Sequence, residues 1–384
     1  MPTMELALSD EQQMVFDTAL EWARKEFGPL AAEIDRTDKF PPDVWQKLAE
    51  RGYTGAAIPE EYGGSGGDYL TAALICQALT RVCPAIALSY GAHLNLCAHN
   101  LMRNGTEEQK RKWLPKLTSG EWIGALGITE PGAGSDAMGI ETTARREGDH
   151  YVLNGAKMFV TNGPVADFMI VYAKTDPQAG SRGITAFCLE LPAAGCVVSR
   201  KLDKVGMRGS PTGELVFQNT PVPVENMLGE LNLGYKVVMS GLDLERAFLA
   251  FLAIGTAEEC LEQALAYAKE RRQFGQAIAN FQLVQAKIAD MYTGLFLSRL
   301  AAHHVIAQAQ SGKRVSRDAA ATILFAAEHA LKTAEDAVQI HGGYGYMHEY
   351  PVQRFWRDAR LGTIGAGTSE IRRLIVAREL LGLR

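Results

Sequence analysis

The chain has 384 residues, 47% of them hydrophobic and 22% charged, and carries a formal net charge of -5. Such a length accommodates two or three globular domains with ample apolar surface for a core. The acidic balance excludes a general electrostatic footprint for nucleic acid, although a basic pocket can still sit in an acidic chain.

In chain order, Ser9 followed by Gln12 is a capping-box pattern that opens a helix running to about Phe27, before Gly28-Pro29. Pro41-Pro42 suits the first turn of a second helix near Asp43. Pro59 and the cluster Gly63, Gly64, Gly66 and Gly67 require a loop, after which Tyr69 to Arg81 resumes a helical pattern. Glu107 to Lys112 forms a charged face ahead of Trp113, Leu114 and Leu117. After about Gly120 the long periodic runs give way to short β-rich ones. Tyr151 to Thr161 reads as a hairpin turning at Asn154-Gly155, with further strands at Phe168–Tyr172, Ile184–Leu191 and Glu214–Phe217. From about Tyr235 the chain is helical again. Leu324, Ala327, Leu331, Ala334 and Val338 form one bundle stripe, and Val284, Ile288, Met291 and Leu295 form another. The expected fold is α+β: an N-terminal α-helical domain over residues 1–120, a middle antiparallel β domain over 121–234, and a C-terminal helical bundle over 235–384.

The six scattered cysteines have no metal-ligand spacing and read as buried thiols of a reducing compartment. The longest apolar run, Phe248 to Ile254, is far short of the ~20 residues of a membrane span. Met1 to Gln13 lack the basic start and apolar core of a signal segment, so the expectation is a cytoplasmic protein without a membrane contact. There is no GxGxxG after a strand, no GxxxxGK[ST], no GxSxG elbow (Gly63 to Gly67 spells those letters only within the glycine loop) and no HExxH, which removes Rossmann and P-loop phosphate binding, nicotinamide use and metal hydrolysis. His303-His304 are helix neighbours pointing in different directions and make packing residues, not a metal pair.

Three glycine-bearing segments could bring bare backbone to a ligand: Thr129 to Asp136, His341 to Gly345, and Gly365 to Glu370. As generic patterns they decide nothing. Their literal sequences, with Phe159-Val160-Thr161-Asn162-Gly163, Arg271-Arg272-Gln273-Phe274-Gly275 with Phe281-Gln282, Gln339 to Gly345, and Arg357-Asp358-Ala359-Arg360, resemble the acyl-CoA dehydrogenase family in order along essentially the whole chain. The resemblance implies the same three-part architecture, with a four-helix bundle at its end, and a bound FAD. It implies that Ile128, Thr129, Ser135, Phe159 and Thr161 line the flavin and that Thr368 and Glu370 reach the cofactor. Arg271, Phe274, Gln282, Gln339 and Gly343 correspond to FAD contacts across a subunit boundary, which implies a homotetramer. Phe159 stands where most relatives carry tryptophan; it keeps an aromatic face and lacks the indole N–H.

Dehydrogenating a saturated thioester needs a base for the α proton, a hydride acceptor, and a grip on the carbonyl. Family members place the base at one of two positions, which here are Ala366 and Glu245. The isovaleryl-type enzymes, which this sequence resembles, use the second. Ser240 and Asp243 read as a helix start, placing Glu245 in the first turns. Phe248, Leu249 and Leu252 at i+3, i+4 and i+7 surround it with an apolar face, which strengthens a carboxylate as a base. A first-turn glutamate complementing the helix dipole would instead sit on a polar face. The resemblance further implies that the Ala366 N–H grips the thioester oxygen and that Ser135, Ser181, Arg182, Asp243 and Arg246 contact CoA.

Ser89 to His93, Lys201 to Ser210 and Gly241 to Arg246 are most like isovaleryl-type enzymes, and Gly365 leaves room for a methyl branch. Gly362 replaces their usual tyrosine, and Phe251-Leu252 replaces a Gly-Gly pair. These departures suggest a reshaped, longer apolar tunnel and a 3-methyl-branched substrate longer than isovaleryl-CoA, such as citronellyl-CoA; the alternative is neutral drift in an enzyme for isovaleryl-CoA itself. Electron-transferring flavoprotein is the implied electron acceptor. The competing expectations are an acyl-CoA oxidase using O2 and a non-catalytic FAD-binding bundle protein.

Overall fold

The computed structural model describes residues 8–383. Helix α1 (Asp10–Glu26) opens on the expected capping box, Ser9 and Gln12 each bonding the other's backbone N–H. It is followed by α2 (Ala31–Thr37), α3 (Val44–Glu50), α4 (Tyr69–Val82) and α5 (Pro84–Gly91). A π-helical segment, Ala92–Ala98, continues α5 into α6 (His99–Asn104), and α7 (Glu107–Thr118) begins on a second capping box, Thr106 with Gln109. Sequence reading missed α2, α5, the π-helical segment and α6, none of which has a side-chain cap to announce it.

The middle of the chain is an eight-stranded sheet: β1 (Gly124–Gly127), β2 (Thr143–Glu147), β3 (His150–Thr161), β4 (Phe168–Lys174), β5 (Ile184–Glu190), β6 (Cys196–Lys201), β7 (Thr212–Pro223) and β8 (Met227–Leu228). Its order is β6-β7-β3-β2-β4-β5-β8, with β1 beside β4. The sheet is mainly antiparallel, as expected, with β1 and β2 both meeting β4 in parallel. A correction concerns Asn154-Gly155. The dipeptide does not turn; β3 runs straight through it, and β7 bulges opposite, with Gln218 and Asn219 set against Asn154. Gly155 has φ 147° and packs so tightly on Thr142 that a Cβ would lie 2.5 Å from its hydroxyl oxygen. Asn154 exchanges hydrogen bonds with Asn219 across the strands, which holds the bulge open.

The last part is the bundle: α8 (Gly234–Glu270), α9 (Gln282–Gln310), α10 (Ser316–His341), α11 (Val352–Ala359) and α12 (Ser369–Leu381), with a small hairpin of β9 (Arg272–Gln273) and β10 (Gln276–Ala277) after α8. Helix α8 packs on α4, α9 and α10, so the N-terminal helices and the bundle share one core. On α10 the buried face is a ladder of Ala319, Ile323, Ala326, Ala330, Ala334 and Ala337; of the stripe expected from sequence only Ala327 and Ala334 are fully buried, and the rest flanks it. Small residues there let the three long helices approach closely. All six cysteines are free, and five are buried. Among the described residues no helix is long and apolar enough to cross a membrane.

Candidate active site

Helix α8 begins at Gly234, not at Ser240 or Asp243, so Glu245 sits about three turns inside it. That depth removes the dipole-complementing explanation for the glutamate, whose reach is the first turn. Glu245 is half-buried, with Phe248 fully and Leu252 almost fully buried on its face. Burial pushes its carboxyl up to about 7, against the opposing charges of Arg246 and Arg372. Phe251 departs from the expected arrangement: its ring is turned to α9 and stacks on His303 at 5.5 Å, so it fills the bundle beside that face. His303 is accordingly a packing residue. Leu252 alone of the pair shares Glu245's side of the helix.

The surroundings of Glu245 are polar only where they are tied down. The Tyr69 hydroxyl from α4 faces Asn95 Oδ1 and the Leu244 carbonyl, the latter at 3.1 Å. Burial raises that phenol well above its usual value, and the charge of Glu245 adds to the effect. His99 lies against Tyr69 with ring centroids 5.0 Å apart; burial, then Arg103, lowers it to about 4, so it is neutral at pH 7. Arg246 donates to Asp243 Oδ1 at 3.0 Å, and Asp243 Oδ2 accepts from Ser316 of α10. Asp243 and Arg246, two of the five residues expected to touch CoA, are thus engaged with each other.

The loop before α12 reaches this site through a residue that sequence reading missed. Arg372 is completely buried, and its guanidinium donates to the carbonyls of Gly362 at 2.8 Å and Gly365 at 2.5 Å. Its placement in the first turn of α12, where the helix dipole disfavours a cation, was the available signal. The next residue after the clamped stretch, Ala366, has φ 53°, a left-handed conformation unusual for alanine. Gly367 follows at φ 91°, and the Thr368 hydroxyl accepts from Ile371 N as the cap of α12. Glu370 is exposed in the first turn. A Cβ on Gly362 would meet that of Ala327 at 3.3 Å, whereas one on Gly365 would meet nothing closer than 3.6 Å.

On the sheet, Ile128 and Thr129 leave β1 half-buried, and Met158 N donates to the Thr129 carbonyl at 2.7 Å. This brings them beside Phe159, which is 66% exposed with φ 58°, and the half-buried Thr161. An aromatic held outward in a strained conformation, next to open backbone at Gly132 and Gly134, is suited to a planar ligand. Ser135 is exposed in the same loop. Beneath the loop lies a second feature missed in sequence: Lys157, fully buried, donates to Glu130 Oε1 at 2.6 Å and to the Ile128 carbonyl at 3.2 Å. Glu130 also accepts from the N–H groups of Glu141 and Thr142. Burial lowers the lysine to about 8, opposed by the charge of Glu130. Ser181 and Arg182 are exposed on the turn between β4 and β5.

Arg271, Phe274, Gln282, Gln339 and Gly343 gather at the other end of the bundle. Arg271 and Gly343 line a cavity of about 590 Å³ with Tyr267, His341, Gly342 and Tyr344. Phe274 is 93% exposed with φ 50°, and Gln282 and Gln339 are exposed. At 1.5 Å per residue, the 26 residues from Glu245 to Arg271 put the two regions roughly 39 Å apart along α8. One chain does not bring them together.

The site thus sets a carboxylate of raised pKa on an apolar face, under the charge of a buried arginine that also clamps the backbone leading into a left-handed bend. The family models for the N-terminal, middle and C-terminal domains of acyl-CoA dehydrogenase match residues 9–121, 125–220 and 232–381. The chain is 50% identical over 377 residues to the mitochondrial isovaleryl-CoA dehydrogenase of Solanum tuberosum, covering 98% of this chain and 92% of the relative. It is 48% identical to the mitochondrial 2-methylacyl-CoA dehydrogenase of the same plant, with the same coverage. The solved butyryl-CoA dehydrogenase of Megasphaera elsdenii superposes with a TM-score of 0.96 at 40% identity, covering 98% of this chain and all of that one. The chain belongs to the acyl-CoA dehydrogenase family, whose members are flavin-dependent oxidoreductases.

Proposed function

We propose that this enzyme converts a 3-methyl-branched acyl-CoA to its 2-enoyl-CoA, with Glu245 as the base. The single observation that carries the assignment is the raised carboxyl of Glu245 on its apolar face, with alanine at the family's alternative position. Glu245 accepts the proton from the α carbon, and the β carbon loses a hydride as the double bond forms. FAD, when bound, supplies the acceptor for that hydride. The backbone N–H of Ala366 donates to the thioester oxygen and stabilises the negative charge that develops there. Apolar Phe248 and Leu252 keep water from the carboxylate and so keep it basic.

The residues present fit the cofactor. Ile128, Thr129, Phe159 and Thr161 offer the planar face, Ser135 a hydroxyl beside it, and Thr368 and Glu370 lie by the clamped loop. Arg271, Phe274, Gln282, Gln339 and Gly343 complete a neighbouring subunit's site in a homotetramer. Their separation from Glu245 along α8 supports that sharing. Electron-transferring flavoprotein is the acceptor in this reading, and Ser181 and Arg182 lie where an exposed turn can meet CoA. The branch assignment rests on the similarity to isovaleryl-CoA dehydrogenase and on the small Gly365; Gly362, with no side chain, favours a longer tail such as citronellyl. Glu245→Gln should keep the yellow flavin and lose anaerobic bleaching by isovaleryl-CoA and citronellyl-CoA. Bleaching at the rate of the unaltered enzyme would remove Glu245 as the base.

A further inference from the structure

We propose that Arg372 is a positioning residue that couples the ionisation of Glu245 to the conformation of the Gly362–Ala366 loop. The proposal rests on Glu245 being the base and extends that reading to how the base and the carbonyl grip are kept in register. A fully buried guanidinium is costly unless its donors are engaged. Here two prongs of the fork close on the Gly362 and Gly365 carbonyls, while Nε meets no hydrogen-bond partner among the described residues. Holding the Gly365 carbonyl fixes the Gly365–Ala366 peptide plane, and with it the direction of the Ala366 N–H in its left-handed bend.

The same charge acts on the carboxylate and restrains its upward shift. The charged and titratable groups around Glu245 are Arg246 on its own helix, Arg372 from α12, Tyr69 from α4 and Tyr172 from β4; Glu328 of α10 acts in turn on Arg372. Both phenols are held neutral by burial. Arg246 is already paired with Asp243, whereas Arg372 has only neutral carbonyls as hydrogen-bond partners. Arg246 is the larger of the two charges restraining the upward shift of the base and Arg372 the second; Arg372 is the one that also holds the loop. A single side chain thus opposes over-protonation of the base and aims the donor that receives the charge after proton transfer.

The test compares Arg372→Met, Arg372→Lys and Glu245→Gln in the FAD-loaded tetramer. Flavin bleaching by acyl-CoA is followed against pH, and hydrogen exchange is followed over the peptide 362–368 without substrate. Arg372→Met should bleach at least about tenfold more slowly and move the acid limb up by roughly one pH unit. Exchange in 362–368 should rise. Arg372→Lys keeps the charge and loses the fork, so its limb should stay within about 0.3 unit while exchange still rises. An unchanged limb in Arg372→Met, or unchanged exchange in both variants, overturns the coupling. If the methionine variant does not fold, Arg372→Lys decides alone: unaltered exchange and rate overturn the proposal. Normal bleaching by Glu245→Gln would instead overturn the base assignment, which the exchange data do not depend on.

Discussion

Replacing Lys157 by methionine removes the counter-charge beneath the Thr129–Ser135 loop and leaves Glu130 behind. Glu130 is nearly buried and would keep its bonds from Glu141 N and Thr142 N, so its charge would be solvated by two N–H dipoles in place of a cation. Breaking a buried ion pair from one side costs about 3–5 kcal/mol, because the partner's charge stays buried. With an unfolding entropy of about 2.1 cal/mol/K per residue, a 384-residue chain shifts by roughly 1.2 °C per kcal/mol, so the thermal midpoint of the Lys157→Met variant should fall by about 4–6 °C. Adding Glu130→Gln should recover at least half of that fall, since a neutral amide can still accept from one of the two N–H groups. The orphaned carboxylate would bind a proton more readily, so the single variant's deficit should shrink between pH 8 and pH 5. Flavin absorbance after desalting, read alongside the melts, reports whether the loop still holds its ligand. Equal midpoints for the single and double variants, or a single-variant loss below about 1 kcal/mol, would refute the argument that the pair is an electrostatic support.

Because burial places Glu245 at about 7, kcat/KM should rise with pH and level off above about 7; an activity profile flat from pH 5.5 to 8 would contradict this. The sign for stability is opposite: the folded state binds this proton more tightly than the unfolded chain, so the contribution is greatest near pH 4.5 and is lost as pH rises through 7. Glu245→Gln should accordingly gain in midpoint relative to the unaltered protein between pH 5 and pH 8, measured by parallel thermal melts. Gly362→Tyr, whose Cβ must press on Ala327, should lower kcat/KM for citronellyl-CoA about tenfold or more while changing isovaleryl-CoA little. A short-chain preference that the tyrosine leaves unchanged would rule out the longer tail.

Features written into adjacent residues were legible from sequence, and features made by distant pairs were not. Ser9 with Gln12 announced α1 because both halves of the capping box lie in one turn. Helix α8 hid its start because Leu233 caps it with no side-chain bond, while the cap-like Asp243 is spent on Arg246 and Ser316 deep inside the helix. Asn154-Gly155 has the strongest local turn signature in the chain, yet pairing with β7 on both sides of it overrode that preference. Glu130 and Lys157 are 27 positions apart, and no periodicity links them. Glu245 was legible as an apolar-faced glutamate, but the side on which Phe251 packs depended on where α9 runs.

Helix α8 also acts as a gauge of fixed phase. Between Glu245 and the β9–β10 hairpin the chain is continuous helix, so its length and its angular register are set together. Inserting one residue there would lengthen the rod by only 1.5 Å but swing everything beyond it by about 100°. The hairpin bearing Phe274 would then face a different direction from the one in which that ring now meets Phe281. Substitutions along the outer face of this helix can accumulate during divergence, whereas a gain or loss of a single residue has no such tolerance. Across related chains, the spacing between the glutamate and the arginine at the helix end should vary far less than the residues that fill it.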